Sequence, residues 1–395
     1  MRYLFIHEIS YLNKPVFEYQ DFPERLASAG NDVVVIDFVE SQPSKKMDRM
    51  VSRTGLAKVR LITIPHRNFP VLKYFQAQFN FIKILLNLLR ANHFDAIVLY
   101  SVFINGVTTL KLAAKFGVPV FFRAIDVYHK LRPGFLVQTI LKIGEKVVYR
   151  GSNYILATNV KLKNYVLRYL PSSLSEHNKV YVLDHGVDVP HFSKSDLRLG
   201  LAKMLNINDG DFVVVFLGTT YSFSRLDQLL ILLAPIIKQK DNWKMLIIGA
   251  GELDEAISKS IFNQGLVDKV HAIGMIDYNE LPSYLSLGSV GINTFEINDI
   301  TRDIIPIKNY QYIAAGLPVV SSPLPDLIEK IPPNPCGIFY AASDDLSDLV
   351  SELINISKRH DFDSMSQFVS DYALREHSVD SSISRLKRLL DRVYL

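Results

Sequence analysis

The sequence predicts an α/β protein built of two successive parallel-sheet domains. Three observations carry this expectation. Short, continuous apolar runs alternate with helical patterns, as parallel strands covered on both faces require. The alternation restarts once, after a boundary near Pro190–Asp196. The 395 residues exceed one ordinary core and suit two domains of roughly 150–200 residues each. The organisation read from this is a first domain over 1–190, a second over 191–375, and a last helical segment, 376–395, that returns to the first.

In the first array, Tyr3–His7, Asp32–Phe38, Arg60–Ile64, Ala96–Tyr100 and Val118–Phe122 read as strands. Tyr154–Ala157 and Val180–Leu183 complete the sheet. Phe22–Ala29, Phe75–Leu89 and Val107–Phe116 read as helices from their apolar spacing. In the second array the strands are Asp211–Leu217, Trp243–Ile248, Val270–Ile273, Val290–Thr294 and Val319–Ser321. Leu226–Ile237, Glu252–Phe262, Glu280–Leu287, Lys308–Ala315, Leu346–Ile356 and Ile383–Tyr394 read as helices. Ligands of such sheets bind beyond the carboxyl ends of the strands, so the expected site is a central cleft between the two arrays.

Composition narrows the class. An apolar fraction of 48% against 21% charged residues implies a packed core rather than disorder. The single cysteine, Cys336, excludes an intrachain disulfide and suits a reducing cytoplasm. The apolar run at Met1–Ser10 is broken by His7 and Glu8, which does not read as a signal peptide. No run reaches the roughly 18 apolar residues of a membrane span. The net charge of +4 hides an asymmetry: residues 1–190 carry +11 and residues 191–395 carry −7. A basic first domain suggests an anionic partner. Cations interleaved with aromatics along Lys45–Arg60, Pro70–Arg90, His129–Phe135 and Lys142–Arg150 suit an anionic membrane surface. No nucleic-acid-binding motif accompanies them.

The most informative stretch is Thr301–Val320. A loop containing Pro306 leads into a helix from Ile307, whose free amide groups favour an anion, and Lys308 adds a full charge. Gln311 lies one turn on, with an amide able to bond a nucleotide's hydroxyls or base. Asp303, eight positions before Gln311, is within reach of a sugar hydroxyl. An ordinary helix with an exposed Lys and Gln would also account for Lys308 and Gln311 taken alone. A second stretch, Gly218-Thr219 to Arg225, runs from a buried strand through a polar loop to a cation at a helix start. Gly249-Ala-Gly251 is a tight strand-to-helix turn without the third glycine of a dinucleotide fingerprint. His185-Gly-Val-Asp188 reads as a structural turn. No Cys/His cluster or Asp-x-Asp placed after a strand offers metal ligands, so no cofactor or metal is expected. In the first domain, Arg123-Ala-Ile-Asp126-Val-Tyr-His129 follows a strand. Asp126 reads either as a general base or as a helix N-cap. His129 is a spare base or a binder of acceptor phosphate. Arg123 either orients Asp126 or contacts substrate.

The pattern Pro306-x-Lys308-x-x-Gln311-Tyr312-x-Ala314-x-Gly316-x-Pro318-Val319-Val320 resembles the donor-binding motif of GT-B glycosyltransferases. Gly218…Arg225 resembles that family's first phosphate loop, with Arg225 one place beyond the usual lysine. Many retaining, family-4-like members carry two glutamates where this chain has Asp303 and Gln311, and a histidine where it has Ile125. The Lys308–Gln311 pair and the Arg123-Ala-x-Asp126 form are closer to the membrane-associated glucuronosyltransferases of xanthan-type exopolysaccharide assembly. The resemblance implies two Rossmann-like domains and transfer from a nucleoside-diphosphate-sugar, UDP favoured, to a lipid-linked saccharide or glycan. It implies Gly218, Thr219, Arg225, Asp303, Ile307, Lys308 and Gln311 as donor contacts. It implies Arg123 and His129 as acceptor contacts and Asp126 as the base of an inverting reaction. The expected place is the cytoplasmic face of the cell membrane. A retaining transferase, a sugar-nucleotide epimerase and a non-catalytic nucleotide-sugar binder are the alternatives.

Overall fold

The computed structural model describes residues 1–13, 18–38, 47–66, 72–131, 134–173, 177–193, 198–302 and 304–391. Two compact units divide the chain. One is Met1–His185 joined by the chain from Ser381 on; the other is Gly186–Asp380.

In the first unit the strands are β1 (Arg2–Ile6), β2 (Asp32–Asp37), β3 (Met47–Val51), β4 (Val59–Thr63), β5 (Ala96–Leu99), β6 (Val120–Ala124), β7 (Tyr154–Ala157) and β8 (Val180–Val182). They form one sheet in the order β3-β4-β2-β1-β5-β6-β7-β8. Every pairing is parallel except β3 with β4. The helices are α1 (Glu18–Ser28), α2 (Leu72–Ala91), α3 (Ile104–Phe116), α4 (Phe135–Gly151) and α5 (Val160–Leu167). Parallel strands need crossovers of this kind, and the helices then cover the sheet, which buries runs such as Val33–Ile36 on both faces. β3 was not legible as a strand. Its Asp48 and Arg49 are exposed, which suits an edge that must not pair further.

The second unit opens with the short helices α6 (Val189–Phe192) and α7 (Arg198–Met204). Its strands are β9 (Phe212–Leu217), β10 (Trp243–Ile248), β11 (Val270–Gly274), β12 (Val290–Asn293), β13 (Val319–Ser321) and β14 (Ile338–Tyr340). All are parallel, in the order β11-β10-β9-β12-β13-β14. Between and after them run α8 (Leu226–Gln239), α9 (Asp254–Asn263), α10 (Leu281–Leu285), α11 (Ile307–Ala314), α12 (Pro325–Lys330), α13 (Leu346–Ile356) and α14 (Phe362–His377); the last helix, α15 (Val379–Asp391), belongs to the first unit from Ser381 on. Gly186 and Val187 join this unit because Val187 N–H donates to the His377 carbonyl at 2.7 Å and Val379 N–H to the Val187 carbonyl at 3.0 Å.

One buried cluster fixes the carboxyl edge of the first sheet. Arg123, at the end of β6, donates from Nε and Nη2 to the two Glu18 carboxylate oxygens at 2.8 and 2.7 Å. Its Nη1 donates to the carbonyls of Leu156 and Leu183 at 3.1 and 2.7 Å. Both charged groups are wholly buried. They tie α1 to β6, β7 and the segment after β8. Removing one partner strands the other charge in the core. Glu18→Leu is therefore expected to lower unfolding free energy in urea by about 3–5 kcal/mol, whereas Glu18→Leu/Arg123→Met recovers most of the loss.

Candidate functional site

In the second sheet the strand order reverses between β9 and β12, and open parallel sheets bind ligands beyond the strand ends at such a switch. β9 ends at Gly218, whose φ of 120° lies outside the range side chains favour. Beside it, a Cβ on Gly249 would fall 2.1 Å from the Gly218 carbonyl oxygen, and one on Gly251 would fall 2.9 Å from Thr220 N. The two glycine loops therefore lie in backbone contact. Asp254 Oδ1 locks them, accepting from Thr220 Oγ1 at 2.6 Å and from Gly251 N–H at 2.9 Å. Thr219 stays exposed on the rim.

α11 is seated against this edge by Tyr312. Its hydroxyl accepts from Leu217 N–H at 2.7 Å and donates to the Ile292 carbonyl at 3.1 Å. The ring leaves no room for a side chain on β12 at Gly291, where a Cβ would come within 2.3 Å. The seat carries Ile307 and Lys308, the first residues of α11, to the switch. The first turn of a helix leaves amide groups without intrahelical acceptors.

Lys308 is the group that stands out. Its side chain is buried, and Nζ lies 3.8 Å from the centre of the Phe216 ring and 4.1 Å from that of Phe295. It has no hydrogen-bond partner among the described residues. A Cβ on Gly218 would sit 3.6 Å from it, so glycine keeps the approach open. Burial alone pushes its pKa well below that of an ordinary lysine. Two aromatic faces offset part of the lost hydration but supply no counter-charge. An unpaired buried cation is stable in its charged form only with an anion beside it. Gln311, one turn along, is half-buried, and its amide is likewise unpartnered among the described residues.

Arg225 differs from what its place in the loop suggests. It adopts a left-handed backbone conformation (φ 52°) and turns inward. Nε and Nη2 donate to the Thr294 carbonyl at 3.3 and 3.2 Å; Nη1 and Nη2 reach the Asp344 carbonyl and carboxylate, both at 2.8 Å. Its guanidinium braces three loops. Asp303 lies outside the described residues, as do Lys45 and Lys46 of the basic first-domain stretches.

In the first sheet the order reverses between β1 and β5. His7, just past β1, is buried against Tyr100, Tyr19 and Tyr11, at centroid distances of 4.9, 5.3 and 6.1 Å. Burial pushes its pKa down to about 3, so it is neutral. Asp126, two residues past β6, has its pKa raised by burial and then by the Glu18 carboxylate. Arg123 is sealed inside the unit by Glu18 and two carbonyls, which makes it an internal strut at the end of β6 rather than a surface contact. His129 is held by buried Glu145. Oε1 accepts from the His129 N–H at 2.9 Å, and Oε2 lies 3.0 Å from Nδ1 and accepts from Tyr165 Oη at 2.9 Å. This orients the ring and leaves Nε2 without a hydrogen-bond partner among the described residues. His185 lies 3.5 Å from Asp21 and packs on Phe22, a structural placement. Glu145, Phe216, Phe295 and Asp344 carried no signal in the sequence, since each reads as ordinary core or surface. Among the described residues no group of three or more His, Cys, Asp or Glu is arranged to hold a metal. No helix among them is long and apolar enough to cross a membrane.

Two parallel α/β sheets with switch points of this kind define the GT-B fold. Structures at low identity agree on that fold over nearly the whole chain. Sucrose-phosphate synthase from Thermosynechococcus elongatus aligns with TM-score 0.76 at 15% identity, covering 100% of this chain and 99% of that one. Anabaena Alr3699/HepE in complex with UDP and glucose aligns with TM-score 0.74 at 13% identity, covering 99% and 100%. WaaG, a glycosyltransferase involved in lipopolysaccharide biosynthesis, aligns with TM-score 0.69 at 13% identity, covering 98% of each. More particularly, residues 211–358 match the family described as glycosyl transferases group 1. Alpha-monoglucosyldiacylglycerol synthase of Streptococcus pneumoniae is 21% identical over 277 residues, 68% of this chain and 61% of that protein. The putative teichuronic acid biosynthesis glycosyltransferase TuaH of Bacillus subtilis is 28% identical over 149 residues, 37% of this chain and 35% of that one. The match thus spans less than two thirds of either relative.

The site makes a prediction of its own. Lys308 binds its proton less tightly folded than unfolded, so between the two pKa values the unfolded chain holds more protons and stability rises with pH. At neutral pH the buried lysine is a burden, because its ammonium loses hydration on folding without gaining a counter-charge among the described residues. Without ligand, Lys308→Met is expected to unfold at higher urea concentration than wild type, with the gap narrowing as pH rises toward the lysine range. An equal or lower midpoint for the variant at neutral pH would contradict this account.

Proposed function

We propose that the chain is a glycosyltransferase. In this reading it moves a sugar from a UDP-sugar bound in the second unit to a lipid-linked saccharide or glycan bound by the first. It works without a metal, by inversion, at the cytoplasmic face of the membrane. The observation that carries the reading is the buried Lys308 side chain at the β9–β12 switch, set against Phe216 and Phe295 and without a hydrogen-bond partner among the described residues. A diphosphate supplies the anion it lacks. The family match over 211–358 and the neighbours solved with UDP support the same reading.

The acceptor hydroxyl attacks the anomeric carbon and its proton passes to the Asp126 carboxylate. The bond from that carbon to the diphosphate oxygen breaks, and the electron pair leaves with UDP. Lys308 and the amide groups opening α11 neutralise the leaving diphosphate. Gly218 and Thr219 line the phosphates, and Gln311 bonds the nucleoside. Asp303 is assigned a sugar hydroxyl from the resemblance alone. His129, with Nδ1 held by Glu145, points Nε2 at the acceptor. Arg225 serves the donor by bracing the loops that hold it.

UDP is expected to bind in isothermal titration, and Lys308→Ala to bind about 10- to 100-fold more weakly, the value of a charge-assisted contact. Above the lowered lysine pKa, binding should take up a proton, seen as a heat that varies with the buffer's ionisation enthalpy. Equal affinity in the variant would rule out the phosphate assignment.

Asp126→Asn should keep UDP affinity and lose about 10²- to 10⁴-fold in turnover. The acidic limb of the wild-type rate profile should lie above the ordinary carboxylate range, because protonated Asp126 cannot act as base. NMR of the anomeric product should show inversion; retention with little dependence on Asp126 would favour the retaining alternative.

A further inference from the structure

Three neighbouring helices of the first unit carry their exposed residues in an unusual pattern. α2 packs on α3, and α3 on α4. α4 has a buried face made by Leu141, Glu145, Val148 and Tyr149. A helix with its apolar stripe already buried normally turns polar residues outward. α4 does not. Leu136, Ile140, Ile143 and Val147 recur at helical spacing on the outer face, and Phe135 and Leu136 are 81% and 76% exposed. α2 repeats this with Phe75, Phe79 and Ile82, both phenylalanines 69% exposed.

The cations follow the same order. Lys142, Lys146 and Arg150 form an exposed row beside the apolar stripe of α4. Lys83 and Arg90 are exposed on α2, and Lys111 and Lys115 on α3. The three helices contain a single acidic residue, Glu145, and it is buried under His129 and Tyr165.

We infer that the outer faces of α2 and α4 are a docking surface for an anionic lipid bilayer, with Phe135, Leu136, Phe75 and Phe79 entering the interface and the flanking cations on the headgroups. Apolar side chains of this size beside Lys and Arg match the boundary between acyl chains and phosphates. A second copy of the chain fits less well. A two-fold interface would set this cationic face against itself with no exposed carboxylate to meet it. The inference does not need the transfer reaction. It adds to that reading a means of presenting a lipid-linked acceptor to His129, which lies just ahead of α4.

The test is co-sedimentation of the full chain with phosphatidylcholine vesicles with and without phosphatidylglycerol. Binding is expected only with the anionic lipid and should fall with salt. Leu136→Glu/Ile140→Glu should reduce it about tenfold or more. Lys142→Glu/Lys146→Glu should remove most of its salt dependence. Phe262→Glu, at an equally exposed apolar site of the second unit, should leave binding unchanged. Thermal melting of each variant shows that it folds, and UDP titration of the same variants keeps a failed surface distinct from a failed donor site. Absent binding to anionic vesicles, unchanged binding in the α4 variants, or a dimer in sedimentation velocity that Leu136→Glu/Ile140→Glu dissociates would each overturn the inference.

Discussion

The constraint on which both units depend is that parallel strands end together. In the second sheet every strand runs the same way, and in the first all but β3 do. Each crossover must carry the chain back along the outside, so every loop that follows a strand collects on one edge. Where the order reverses, between β1 and β5 and between β9 and β12, neighbouring crossovers leave in opposite directions and open a gap. Buried polar groups lie at both: His7, Ser101 and Arg123 at one edge, Asn293, Thr294 and Lys308 at the other. At these edges, groups that are costly to bury stand where a ligand can satisfy them.

Two cations meet the second of these edges, and the structure treats them oppositely. Arg225 is satisfied by protein, with two carbonyls and the Asp344 carboxylate around a planar fork that matches them. Lys308 faces the Phe216 and Phe295 rings and has no hydrogen-bond partner among the described residues. A guanidinium so engaged holds loops in register but has little charge left to lend. An ammonium without a counter-ion destabilises the empty protein and gains most when an anion arrives. Tyr312 makes the difference possible, since its two hydrogen bonds seat α11 firmly enough to keep Lys308 buried.

The strands were legible because a strand covered on both faces reads as a run, and such runs as Trp243–Ile248 and Tyr154–Ala157 fall where the pattern puts them. β3 was not, because an exposed edge needs no apolar alternation. α4 was not, because its apolar residues lie on two faces and blur the single stripe that periodicity detects. Lys308 and Gln311 stood out through the motif around them, but the walls of the lysine site did not. Phe216 and Phe295 are far apart in sequence, and each reads as core. The inward turn of Arg225 was equally hidden, since its partner Asp344 is distant and its left-handed backbone has no glycine to announce it. Local pattern reports burial well and reports pairing across the chain poorly.

Arg123 bears on Asp126 through what it does not do. Had its guanidinium met Asp126 directly, the carboxylate would be held as a stable anion with little affinity for a proton. Arg123 is instead engaged by both oxygens of Glu18. Asp126 then feels mainly its own burial and a residual push from Glu18, and both raise its proton affinity. For the proposed base this is the useful direction, because a carboxylate takes a proton from an attacking hydroxyl more readily as its pKa climbs toward the working pH. The same pairing makes Arg123 indispensable without contact with substrate: losing it would leave Glu18 uncompensated, push Asp126 higher still and unseat the strand end that carries it.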